Sequence, residues 1–132
     1  MLNYYNLQKA IYEKLTGDAG LMALISGVYD NAPQDADYPF ITFGKSNSKK
    51  YDVLGKNGLE HRVNIEIWSR ENGKKQPAYI IESLYSLLHN GSLSVTGAAL
   101  TSMEILSYSI NLESDGCTYH GIINLRIVLS FS

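Results

Sequence analysis

In the stretch LEHRVNIEIWS, residues 59–69, two kinds of side chain alternate. Leu59, His61, Val63, Ile65 and Ile67 fall on one side, and Glu60, Arg62, Asn64, Glu66 and Trp68 on the other. A period of two is that of a β-strand, and one apolar side describes a sheet covered on a single face. The flanking sequence must therefore supply partner strands and a cover.

Partner strands read at 40–44, 100–112 and 119–131. The last two are joined through Ser114-Asp-Gly-Cys117, and Asp-Gly between alternating runs signals a hairpin. The cover comes from helical patterns. Leu7, Ala10, Ile11 and Leu15 recur at spacings of three and four over residues 4–16, with Asn3 as cap and Gly17 as stop. Asp18 caps a second short helix carrying Leu21, Leu24 and Ile25, ended by Gly27. A longer helix near 75–89 holds Pro77 in its first turn and presents Ile80, Ile81, Leu84, Leu87 and Leu88. Its packing partner is the sheet face with Val63, Ile65 and Ile67. Val28–Asp30 reads as a possible short strand. The expectation is an α+β fold in the order α-α-β-β-α-β-β: an antiparallel sheet of about four strands with helices on one face. Residues 1–132 are expected to form a single domain, without repeats or low-complexity tracts.

Composition narrows the function. Of 132 residues, 45% are apolar and 18% charged, which suits a globular chain with its own core. A net charge of −2 gives no global attraction to nucleic acid or anionic lipid. Cys117 is the only cysteine, so an intrachain disulfide and a cysteine-built zinc site are excluded. No apolar run reaches the ~20 residues of a membrane span, and Met1-Leu-Asn-Tyr-Tyr-Asn lacks the pattern of a signal peptide.

The sequence carries no complete catalytic motif. Gly44-Lys-Ser46 looks like the end of a phosphate-binding loop, but the required first glycine is replaced by Pro39, which has no N–H to offer a phosphate. His61, His89 and His120 form no metal-binding spacing. Glu60 and Glu66 are spaced as an acid–base pair or as solvated partners of Arg62. Cys117 has no activating neighbour in the sequence, and no G-x-S-x-G occurs. Trp68 is out of place on a polar face. It either packs under a loop or helix, or anchors an interface together with Arg70. The last strand's second face, Ile122, Asn124, Arg126 and Val128, is too apolar to be fully wet, so Arg126 joins Trp68 and Arg70 as an interface candidate. Residues 45–58 read as a polar loop with Lys45, Lys49, Lys50 and Lys56.

Several stretches, in order, resemble the phage tail completion and tail terminator proteins: AIYEKLTGDAGLMALISGVYD (10–30), APQ (32–34), YPFI (38–41), HRVNIEIWSR (61–70), LHNG (88–91) and DGCTYHGIINLR (115–126). Each alone is ordinary cap, turn or strand grammar; their combination is specific. The resemblance implies a structural virion protein, not an enzyme, with no cofactor. It implies a homo-oligomer, usually a hexameric ring, at the head-proximal end of the tail tube, stopping tube growth and meeting the head connector. The partners would be the tail tube protein and the head–tail connector protein. The location would be the virion tail, reached from the host cytoplasm, for a phage or prophage. In such a ring the lysine loop would face the channel, with weak non-specific contact to DNA, or would face the tube; the alternative is a solvated loop kept soluble by its charge. The first alternative is a neck or connector adaptor. The second is a small ligand-binding module or enzyme built on Glu60, His61, Glu66 and His120, which would need two of these groups in hydrogen-bond reach inside a deep pocket.

Overall fold

The computed structural model describes residues 4–131. Its elements run α1 (Tyr4–Thr16), α2 (Ala19–Met22), β1 (Val28–Tyr29), β2 (Phe40–Lys50), β3 (Gly58–Ser69), α3 (Lys75–Leu88), β4 (Ala99–Leu112) and β5 (Tyr119–Ser130). The sheet order is β1-β2-β3-β5-β4. The α+β architecture is as expected. The possible strand at Val28–Asp30 is real but only two residues long, and it lies parallel to β2, which makes the sheet mixed.

Helix α1 buries Leu7, Ala10, Ile11 and Leu15. It stops at Gly17, whose N–H reaches the Glu13 carbonyl at 2.9 Å. The expected Asn3 cap lies outside the described residues. Asp18 caps α2 by accepting the Leu21 N–H at 2.9 Å. This helix ends at Met22 and leaves Leu24 exposed. The chain turns away early because its next backbone groups bond to the β2 entry: Ser26 N–H to the Pro39 carbonyl, and Ile41 N–H to the Gly27 carbonyl.

Helix α3 buries Ile80, Ile81, Leu84 and Leu88 on the sheet face that carries Val63, Ile65, Ile67, Ile123, Leu125 and Ile127. The helix packs closely over Gly121, where a Cβ would come into ordinary contact with Ile67 and Ile81 at 3.4 Å. Asn90, at φ 56°, closes the helix, and its N–H bonds to the Met103 carbonyl at 2.8 Å. The β4–β5 connection winds around one carboxylate. Asp115 accepts the Cys117 and Thr118 N–H groups at 2.9 and 2.8 Å and the Thr118 hydroxyl at 2.6 Å. These three bonds hold the Asp115 carboxyl well below the usual carboxylate range, the Thr118 hydroxyl contributing most.

The expected polar loop at 45–58 is corrected. Strand β2 continues through Lys50, after an irregularity between Phe43 and Ser46, and pairs with β3 as far as Lys50↔Leu59. Lys45, Lys49 and Lys50 are therefore strand residues. The composition reads as a loop because β2 here runs beyond β1 and along the rim of the core. Ser46 and Ser48 take the core side, where they bond to the Tyr4 hydroxyl and to His61 Nδ1. Lys49 lies on the other face, 3.5 Å from Glu60. The remaining turn closes with Val53 and Lys56 bonded to each other. Leu54 and Gly55 stand between them at φ 50° and 78°, both left-handed, as in a two-residue hairpin turn.

Candidate functional site

All three helices bury their apolar residues in the single cluster on one side of the sheet, so the second face of the sheet is left without a helical cover. The candidate interface residues occur on that face and at its rim.

At one end the face is aromatic. Trp68 lies between Phe40 and His120, its strand-pairing partners on β2 and β5. Its ring stacks on His120 with centroids 3.9 Å apart and 10° between planes, and on Phe40 at 6.5 Å. The indole N–H donates to the Thr42 hydroxyl at 2.9 Å. Trp68 is thus half-buried, rigid and still partly presented to solvent. Arg70 extends this patch. Its guanidinium lies 4.3 Å over the Tyr38 ring, and its Nε donates to the Thr118 hydroxyl at 3.0 Å. Arg70 therefore ties the loop before β2 to the β4–β5 loop while remaining exposed.

At the other end the face is ionic. Glu60 is only 5% exposed although no helix lies above it. Its carboxylate receives Arg126 Nε at 2.6 Å, and Lys49 Nζ and Arg62 Nε at 3.5 Å. Arg126 also reaches Glu104 at 3.4 Å, and its guanidinium lies 5.4 Å over the Tyr51 ring. Arg62 and Arg126 are direct cross-strand partners, and Glu60, diagonal to Arg126, separates the two like charges. The Arg126 hydrogen bond draws the Glu60 carboxyl below its ordinary pKa and raises that of Arg126 in return. Lys45 lines a shallow concavity with Asn47, Arg62 and Asn64. Lys50 pairs with Asp52 at 3.8 Å, and Lys56 sits in the hairpin turn.

His61 is on the core side, 2% exposed, beside Ser48 and edge-on to Tyr4; burial lowers its pKa. His89 Nδ1 accepts the Ile105 N–H at 3.1 Å and so joins the end of α3 to β4. His120 and Glu66 do meet, Nε2 to Oε1 at 2.5 Å. The pair lies beneath the Trp68 ring on the open face, with Gly44 leaving room for the carboxylate, and not within one of the larger concavities. Among the described residues no group of three His, Cys, Asp or Glu is placed to hold a metal, and no helix is long and apolar enough to cross a membrane.

Sequence reasoning missed Tyr38, Tyr51 and Glu104, which complete the two ends of the face. Their partners are fixed by register, and the sequence signals the strands but not which residues stand opposite one another.

A family model described as "Tail completion protein gp17" matches residues 9–130. The tail completion protein gp17 of Bacillus phage SPP1 is 23% identical over 124 residues, covering 94% of this chain and 92% of that protein. Among solved structures, a chain in the virion of a native gene transfer agent particle superposes with a TM-score of 0.84. It is 19% identical and covers 94% of both chains. The bacteriophage SPP1 gp17 structure gives 0.55 at 22% identity, over 97% of this chain and 90% of that one.

Proposed function

Because the chain belongs to the tail completion protein gp17 family, structural proteins of the phage tail, we propose that it forms a closed ring, hexameric in the simplest case, at the head-proximal end of the tail tube. One rim of the ring copies the docking surface of a tube subunit and the other does not, so tube growth ends there. That other rim receives the head–tail connector protein. The observation that carries this reading is the uncovered second sheet face, with Trp68 and Arg70 held in fixed positions at one end. Partly exposed Trp and Arg side chains already held in place make strong interface anchors because little side-chain entropy remains to be lost on docking. Arg126 serves the same face indirectly by holding Glu60 and Glu104 in place. Lys45 and Lys49 stand at the far end of this face, and where that end reaches the channel they give weak, salt-screened contact to DNA phosphates. Subunits wait in the host cytoplasm until a tube is ready. The work is geometric and calls for no bond-breaking chemistry.

Electron microscopy of the purified chain, alone and mixed with tail tubes, tests this. Closed rings, and one ring at one end of each tube, are the expected result. Trp68→Ala should weaken ring formation while the subunit keeps its circular dichroism spectrum. Binding to a portal-side protein with no affinity for tubes would replace this reading by that of a connector adaptor.

A further inference from the structure

The tip of the β2–β3 hairpin carries Leu54, 98% exposed and in a left-handed conformation that a branched apolar residue adopts only at a cost. It contributes nothing to the core of its own subunit. On the opposite side of the molecule, α3 and the edge strand β4 leave a groove of about 490 Å³ lined by Ala78, Ile81, Tyr85, Tyr108 and Ile110, with Glu82 among its lining residues. Tyr85 and Tyr108 stand exposed at its rim. We propose that the Leu54 tip of one copy docks into the α3–β4 groove of a second copy, an inference that rests on the ring reading and names one contact between its subunits, separate from the Trp68 face.

Three features make the occupant another copy of this chain. Shape comes first: the subunit carries both an apolar protrusion and an apolar groove, each unused within it. Charge comes second. Lys56 lies two residues from Leu54, Glu82 lies in the groove, and among the described residues neither has an ionic partner. Position comes third. The tip projects beyond the Gly58↔Ser130 pair, whereas the groove lies at Ile110↔Gly121. The run from Gly121 to Ser130 spans roughly 30 Å of strand, so the tip cannot reach its own groove. A protrusion and its receptor at opposite ends of one subunit give a head-to-tail contact, the kind that closes into a ring.

The contact is tested by cross-linking in a Cys117→Ser background, where Leu54→Cys is combined with Tyr108→Cys or with Ser86→Cys, Ser86 being a further lining residue of the groove. The expected result is a ladder of disulfide-linked multimers under ring-forming conditions, and none from either single variant. Glu82→Lys should reduce the ring fraction at least tenfold, and adding Lys56→Glu in the same chain should restore it. Rings that form without cross-linking and ignore both charge variants would overturn this contact and leave the ring intact. A native chain that stays monomeric at high concentration and on tail tubes would overturn the ring reading and this contact together.

Discussion

Glu60 is buried on a face that no helix covers, and only its three cations make that tolerable. Removing one of them exposes the logic. Arg126→Ala takes away the 2.6 Å bond and leaves a carboxylate with two looser partners. It should cost about 2–3 kcal/mol in urea unfolding. Glu60→Gln, which removes the charge but keeps an acceptor, should cost less. An Arg126→Ala protein as stable as the parent would show that the network has no structural role. His61 and Glu60 act on the acid side of the stability profile, together with Asp115, whose carboxyl is held low by its turn. His61 is kept neutral by burial, with its pKa lowered. The unfolded chain therefore takes up a proton at about pH 6.5 before the folded one does. Stability from this site is complete above that value and falls as pH drops below it. Glu60, depressed by Arg126, adds a further loss as pH falls below the ordinary carboxylate range of about 4.3. Thermal unfolding followed between pH 8 and 5 should thus show a falling Tm, and His61→Asn should flatten that slope. Neither environment was legible in the sequence, where His61 and Glu60 are merely adjacent letters on opposite faces.

At the scale of elements, strand β3 was readable because its alternation is unbroken, and α3 because Pro77 and Asn90 bracket an apolar stripe. Strand β2 was readable only to Gly44. Beyond it, the side chains that face the core are serines, and what holds them there is a hydrogen bond to His61 and pairing with β3, both long-range facts. The end of α2 failed similarly, since the β2 entry pulls the chain away before the apolar spacing runs out. The Trp68 patch was half visible: a misplaced tryptophan beside an arginine is a sequence signal, but its stacking on His120 depends on register. The hairpin turn itself yields a prediction that separates stability from assembly. Leu54 precedes Gly55 in a turn that favours Asn-Gly. Leu54→Asn should relieve the left-handed strain and stabilise the isolated subunit by about 0.5–1 kcal/mol. The same change removes the apolar tip, so ring formation should fall as Tm rises. Loss of both together would mean that Leu54 serves its own subunit after all.

For the whole molecule, the two faces of the sheet divide the labour. One face is spent on the core, under α1, α2 and α3. The other is stiffened by stacked rings and ion pairs, so it can meet a neighbour with little left to order. The proposed ring would link folding to assembly, because a partner that binds only the folded subunit adds to its stability by mass action. At a subunit concentration ~100-fold above the dissociation constant, that addition is about 2.7 kcal/mol. For a chain of this length it corresponds to a rise in Tm of roughly 10 °C. Calorimetry over a hundredfold range of protein concentration should therefore show Tm climbing for the native chain. The same series on Trp68→Ala should be nearly flat, even though its dilute-limit Tm need not match the parent's. A native Tm that ignores concentration, in a protein that microscopy shows as rings only where tail tubes are present, would mean that the ring survives only on the tail. The second face would then be completed by the tube protein and not by its own copies.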